Sequence, residues 1–311
     1  MRREKLSSNA GRQTILQIIQ KTTALFQDRG IDSPRFDAET LIGHAIGMNR
    51  MALYLNHEMP MKEAELASIR PLIARRANRE PLQYITGEAP FMDIILKVRK
   101  GVLIPRPDTE TLVESVMKWW NSCFASMNPL ISEDEKTLPS MLDLCTGSGA
   151  IPIVLSRFLG TRSGLCFAVD ISEDACEIAR QNVALHAQGK MKVLNGDLFR
   201  SREAEPLPDV SWNLITANPP YIPSSELAGL MAEVGKFEPR LALDGGSDGL
   251  DFYRRLIPQS LVRLTAGGRI YLESGAGQAQ QVEALLLEAG FSLSGRVRDL
   301  GGIERVIWGQ K

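Results

Sequence analysis

The sequence has no long apolar run. No stretch of its 311 residues reaches the ~18 consecutive apolar residues of a membrane-spanning helix. The charged opening MRREKLSSNAGRQT leads into no apolar segment, so no signal peptide or membrane contact is expected, and the cytoplasm is the expected compartment. Cysteine is scarce and scattered. Cys123, Cys145, Cys166 and Cys176 form no C-x-x-C pair, and His44, His57 and His186 lie far apart. A zinc or other metal cluster is not expected, and the thiols read as free and at least half-buried in a reducing compartment. Net charge is nearly absent: 36 Lys and Arg against 37 Asp and Glu leave -1. That argues against a chain held to nucleic acid mainly by phosphate contacts, though a local basic patch stays open. There is no internal repeat and no low-complexity segment. What remains is an ordinary globular composition, 44% hydrophobic, long enough for a large domain plus a small one.

Residues 11–79 read as short amphipathic helices. Ile15, Ile18, Ile19, Thr22 and Leu25 fall at helical spacing, as do Asp37, Ala38, Leu41, Ile42 and Ala45, and then Glu63, Leu66, Ile69 and Ile73. Gly30, Gly47 and Pro60 punctuate them. Residues 1–79 are therefore expected to form a helical bundle, either a stabilising appendage or a docking module. Residues 80–105 change to an alternating pattern, FMDIILKVRKGVLIP, expected as a β-hairpin linker. Arg70–Arg106 is locally basic, read first as a solvated face and otherwise as a surface for a polyanion or an acidic partner. Residues 128–139 read as a surface loop.

From Ser140 strands and helices alternate. Strands are expected at 141–144, 165–169, 191–194, 213–217 and 269–272, with helices at 150–159, 172–186, 252–264 and 279–289. Two final strands, 291–297 and 305–308, have no helix between them and must pair as a hairpin. Residues 106–311 are thus expected to form an α/β domain with a doubly wound, Rossmann-like sheet, mostly parallel, closed by an antiparallel C-terminal hairpin.

The segment MLDLCTGSGAIPI runs from a strand through a glycine turn into a helix, where open α/β sheets bind ligands. Gly147 and Gly149 permit close approach and positive φ. The dinucleotide spacing G-x-G-x-x-G fails, because residue 152 is Pro. Asp143 at the strand end suits the ammonium of a zwitterionic ligand and would repel a pyrophosphate. Asp170 ends the second strand and can accept from ribose hydroxyls; its plainer role is a helix N-terminal acid before the cap Ser172. Asp197 follows the third strand and can accept from an adenine amino group, with Leu198 or Phe199 near the ring. Three acids at three successive strand ends point to S-adenosyl-L-methionine as cofactor.

Asn218-Pro219-Pro220-Tyr221 follows the fourth strand. Asn218 is pushed to extended backbone by Pro219, and two locked φ angles stiffen the turn. An amide nitrogen is a poor nucleophile, since its lone pair is delocalised. Two acceptors, the Asn218 side-chain oxygen and the Pro219 carbonyl, can hold its N–H bonds and aim it, with Tyr221 against its flat face. These residues point to methylation of a planar nitrogen without metal or covalent intermediate.

With these motifs the chain resembles the release factor glutamine methyltransferase family. REPLQYITGEAPF (79–91), VLIPRPDTE (102–110), DLCTGSGAI, AVDIS, NPPYIP, FEPRLALDGGSDGLDFYRRL and DLGGIERV (299–306) follow in the family's order and span nearly the whole chain. The resemblance implies N5 methylation of the glutamine in the Gly-Gly-Gln motif of class 1 peptide chain release factors by a class I methyltransferase. It implies a monomer that contacts no nucleic acid directly. It puts Cys145, Thr146, Gly147, Ser148, Gly149, Asp170, Leu198 and Asn218 around the cofactor and Asn218 to Tyr221 around the glutamine. The N-terminal helices would contact a remote part of the substrate. Arg106, Asp108 and Glu110 would shape a substrate channel or form interdomain salt bridges. One departure is Cys145, where the family usually has glycine; a tolerated strand-end backbone is expected there. Two rivals remain: a nucleic-acid base methyltransferase acting on an adenine or guanine amino group, which predicts a larger basic surface, and a non-catalytic cofactor-binding translation scaffold, which has no need of the tetrapeptide.

Overall fold

The computed structural model describes residues 13–124, 139–160, 164–187, 191–204 and 206–311. The loop expected over 128–139 lies outside them except for Pro139. The chain separates into two compact units, one of residues up to Gly87 with Ala232–Phe237, the other of Glu88–Met231 with Glu238–Lys311.

The first unit holds α1 (Ile15–Asp28), α2 (Pro34–Ile46), α3 (Arg50–Leu55), α4 (Glu63–Ala77), α5 (Leu82–Thr86) and, later in the chain, α9 (Ala232–Phe237). Thr14 and Gln17 form a reciprocal cap that starts α1. Gly47 ends α2 in the left-handed region at φ 69°. The apolar faces meet in two small cores, one around Ile15, Ile42, Leu53 and Ile69, the other around Phe26, Leu41 and Leu82. Buried Arg76 pairs with buried Asp37 at 2.6 Å and with Glu233 at 3.1 Å, and Arg79 reaches Glu233 at 2.6 Å.

The second unit opens with the hairpin β1 (Glu88–Phe91) and β2 (Ile94–Lys97), which turns at Met92, φ 51°. Its first strand lies earlier than the alternating run suggested, and the VRKGVLIP half of that run is not strand. After α6 (Glu110–Phe124) come β3 (Met141–Leu144), α7 (Ala150–Leu159), β4 (Cys166–Asp170), α8 (Glu173–His186), β5 (Lys192–Asp197), β6 (Arg200–Ser201) and β7 (Trp212–Ala217). Then follow α10 (Asp251–Arg263), β8 (Leu264–Glu273), α11 (Ala279–Ala289), β9 (Leu293–Arg298) and β10 (Glu304–Gln310). The sheet order is β6-β5-β4-β3-β7-β8-β10-β9. Strands β5, β4, β3, β7 and β8 are mutually parallel, while β10 runs antiparallel between β8 and β9. The unit is an α/β Rossmann-like domain, and its C-terminal hairpin is antiparallel as expected. The two-residue antiparallel β6 beside β5 was not expected.

Alternate strand residues feed opposite cores, as the two-residue repeat requires. Met141, Cys166 and Ala168 face a core with α6, α7 and α8; Leu142, Leu144, Phe167 and Val169 face one with α10 and α11. The chain steps outward from β3 to β5 and returns to pair β7 with β3. That reversal leaves a crevice at the carboxyl ends of β3 and β7.

Candidate active site

The loop after β3 and the tetrapeptide after β7 flank this crevice. Backbone turns position the first. Thr146 N–H donates to Val169 O at 3.1 Å, and Gly149 N–H to Thr146 O at 2.9 Å. Gly147 (φ 57°) and Gly149 (φ 82°) are left-handed, and so is Cys145 at 57°. Cys145 lies one residue past the end of β3 and takes the positive φ that makes its backbone one favouring glycine. Burial and the neighbouring Asp170, Asp143 and Asp197 raise its thiol pKa well above normal, which disfavours the thiolate. Cys166 and Cys176 are buried, whereas Cys123 is exposed, against expectation.

Two cavities meet at this loop. The first is an open cleft spanning about 690 Å³, solvent at its mouth included, and is walled by Cys145, Gly147, Asp170, Ser172, Gly196, Asp197, Leu198, Asn218, Pro220, Leu241 and Phe252, among others. Among the described residues, no Lys or Arg lines it. The second, about 380 Å³, is walled by Pro105, Arg106, Thr109, Thr146, Ser148, Ile151 and again Cys145, Gly147 and Asn218. Asp143, Gly149, Pro219 and Tyr221, expected in the site, are not among the residues that line either cavity.

Asp170 accepts from Gly147 N–H at 2.8 Å and Ser172 N–H at 2.9 Å, tying the two loops together. Burial raises its pKa against these bonds. Asp197 pairs with Arg255 at 2.6 Å, and Leu198 beside it is left-handed at φ 53°. Asp143 is fully buried; Thr216 Oγ1–H donates to its Oδ1 at 2.5 Å, and its Oδ2 lacks a well-formed hydrogen bond. Burial pushes its pKa up to about 7.

The tetrapeptide is held from below. Asn218 Nδ2–H donates to Thr109 Oγ1 at 3.2 Å, with no bond to its Oδ1 among the described residues. Tyr221 O–H donates to Glu273 Oε1 at 3.3 Å, and Gln278 Nε2–H to Tyr221 O at 2.9 Å. Ile222 N–H donates to Leu243 O, and Gly245 N–H to Ile222 O. Burial raises the Tyr221 phenol, so it stays neutral.

Thr109, Glu273, Gln278 and the glycines behind Tyr221 are the site residues that motif reading passed over. Thr109 sits inside VLIPRPDTE and Gly245 inside FEPRLALDGGSDG, so both segments carried a signal without a role. Arg106 pairs with buried Glu238 at 2.5 Å, Asp108 with Arg305 at 3.3 Å, and Glu110 accepts from Met92 N–H at 2.7 Å. All three bonds lie within the second unit, so none joins the two units. In the basic run, Arg70, Arg75, Arg76, Arg79, Arg99 and Arg106 each have a carboxylate partner.

Residues 17–87 match the family model described as the PrmC N-terminal domain, and residues 96–241 match that of Conserved hypothetical protein 95. Over 297 residues the chain is 37% identical to the release factor glutamine methyltransferase of Geobacter sulfurreducens, covering 96% of each chain. Its namesake from Thermodesulfovibrio yellowstonii is 40% identical over 276 residues, 88% of this chain and 92% of the relative. A solved SAM dependent methyltransferase from Aquifex aeolicus shares 19% identity at a TM-score of 0.38, over 63% of this chain and 97% of that one.

Proposed function

This chain belongs to the release factor glutamine methyltransferase family, and from that premise we propose how its residues divide the reaction. The protein is an S-adenosylmethionine-dependent enzyme that methylates a release factor glutamine. The acceptor is the N5 amide nitrogen of the Gly-Gly-Gln motif in class 1 factors.

The residues present fit the cofactor. A Cβ at Gly147 meets nothing within 4 Å, so this glycine leaves the space at the join of the two cavities open. Among the described residues the larger cavity carries Asp170 and Asp197 and no Lys or Arg, which favours a cationic ligand over a phosphate. Asp170 would hold the ribose, Asp197 and Leu198 the adenine, and the 145–149 loop the amino-acid tail, with Asp143 beneath it for the ammonium. When bound, S-adenosylmethionine supplies a methyl group made electrophilic by its sulfonium.

One observation carries the acceptor side. Asn218 lines both cavities, and its amide nitrogen is engaged by Thr109 while its oxygen is not. That oxygen and the Pro219 carbonyl, also without a partner among the described residues, would accept the two N–H bonds of the glutamine amide. Orientation and stabilisation of charge developing on nitrogen then supply the rate. Transfer exchanges one N–H for N–CH3 and releases a proton to solvent. Tyr221, kept neutral mainly by burial, would lie against the amide plane. Paired arginines in the basic run favour a protein substrate over a nucleic acid. The first unit would dock the release factor through the exposed Phe36, Met51, Tyr54 and Leu55.

The test is transfer of labelled methyl from S-adenosylmethionine to an unmethylated release factor. Label is expected on the factor, absent when its Gly-Gly-Gln glutamine is alanine, and cut about 100-fold or more by Asn218→Ala. Cofactor binding with no label on the factor would overturn the substrate assignment.

A further inference from the structure

Gln278 caps the start of α11 with 9% of its surface exposed. Its side chain folds back over the turn that follows β8. There Oε1 accepts from Gly275 N–H at 3.0 Å, while Nε2–H donates to the Tyr221 carbonyl at 2.9 Å and, at a longer 3.4 Å, to the Asp248 carbonyl. One amide thus joins three segments: the turn between β8 and α11, the tetrapeptide after β7, and the glycine-rich stretch before α10. Of the three backbone groups, one needs an acceptor and two need donors, and a primary amide supplies that set. Two glycines leave room for it. A Cβ on Gly275 would lie 2.7 Å from Oε1 and 3.2 Å from Cδ2 of the Tyr221 ring, and one on Gly249 would collide with Nε2 and the Tyr221 carbonyl.

Gln278 lines neither cavity, so it reaches the reaction only through the loop it holds. That loop absorbs little movement. Pro219 and Pro220 have locked φ angles, and Asn218 to Tyr221 therefore shift largely as a unit. Thr109 holds the head of the unit through the Asn218 amide, and Gln278 holds its tail through the Tyr221 carbonyl. A displacement at the tail passes to the Pro219 carbonyl and the Asn218 oxygen, the two acceptors that aim the glutamine.

We propose, resting on the role given to Asn218 and Pro219 above, that Gln278 is a positioning residue for methyl transfer: by donating to the Tyr221 carbonyl it sets where the tetrapeptide presents its acceptors.

The experiment uses the full chain with an unmethylated release factor, reading kcat, KM and, separately, the cofactor Kd by calorimetry. Gln278→Leu removes all three bonds. It lowers kcat roughly 10- to 100-fold, the scale of a misaimed reacting group, with KM and the cofactor Kd within about threefold of the original. Gln278→Glu keeps the shape and makes the donor titratable. Protonated, its carboxyl donates to the Tyr221 carbonyl and still accepts from Gly275, so most of the rate is recovered in acid. Ionised, it has no proton to give and faces two carbonyls. Its kcat, divided by that of the unsubstituted enzyme at each pH, therefore falls as pH rises from about 5.5 to about 8.5, the range into which burial carries a glutamate. The division removes the titration of the other ionisable side chains on the joined segments: Tyr221, Glu273, and Asp248, whose carboxylate is paired with Arg254. Unimpaired kcat in Gln278→Leu would overturn the proposal, and so would a Gln278→Glu loss that is the same at every pH, the mark of a packing defect. An unsubstituted enzyme that transfers nothing to the factor would instead overturn the reading beneath it.

Discussion

Cys145 holds a backbone at φ 57° on the wall of both cavities. A β-carbon in this region costs about 1–2 kcal/mol. Comparing Cys145→Ala with Cys145→Gly separates that strain from the packing of the thiol, because alanine loses the sulfur and keeps the Cβ while glycine loses both. Glycine's larger unfolded-state entropy offsets part of the gain, about 0.5–1 kcal/mol. Urea unfolding should still find the glycine variant more stable than the alanine one, by up to about 1 kcal/mol. Equal stabilities would show that the turn carries no strain. The acids Asp143, Asp170 and Asp197 were readable in the sequence because each lies at, or one residue before, the end of a recognisable strand. Glu273 and Thr109 were not. They lie 164 positions apart, from 273 less 109, and only the pairing of β7 with β8 brings Glu273 under Asn218 and Tyr221. The left-handed turn at Leu198 is equally silent, since leucine signals nothing about φ.

At the scale of elements, the segment after Pro239 works as a brace for the tetrapeptide. Residues 243–246 hydrogen-bond with Ile222 and Ser224, forming a short parallel bridge. A Cβ on Gly245 would lie 2.8 Å from the Tyr221 backbone and from Gly249 Cα, and one on Gly249 would collide with Tyr221 O and the Gln278 amide. Gly245→Ala tests the brace without a positive-φ penalty. Overpacking of this kind costs about 1–3 kcal/mol, and here it should push Tyr221 and lower kcat while cofactor binding persists. Full activity in that variant would show that the loop does not depend on the brace. The β-α alternation behind these elements was legible because periods of two and 3.6 are strong over 141–289. Helix α6 fell outside the expected elements, although Leu112, Val116 and Trp119 have helical spacing and pack in the core. Strand β6 has only two residues and no pattern to read.

For the whole molecule, buried carboxylates set how stability depends on pH. Asp143 and Glu273 are both pushed up to about 7, while Glu39, Glu233, Asp248 and Asp299 are lowered by arginine or backbone partners and Asp244 by Ser224 and then Arg240. The two sets act in different windows. The lowered acids stabilise the fold above their unfolded pKa and lose that contribution as pH falls through the folded one. The raised acids keep a proton in the fold that the unfolded chain releases. For Asp143, stability therefore falls as pH rises from its ordinary 3.8 to about 7, and then levels. Stability should peak in mildly acidic solution, with a urea midpoint higher near pH ~5.5 than near pH ~8. Asp143→Asn removes one titrating proton from that window, so its midpoint should fall less over the same interval. An unchanged fall would mean that Asp143 is ionised in the fold throughout. Saturating S-adenosylmethionine adds a second arm: if Asp143 faces the cofactor's ammonium, binding favours the ionised carboxylate and flattens the fall in the unsubstituted enzyme, while Asp143→Asn shows no such change.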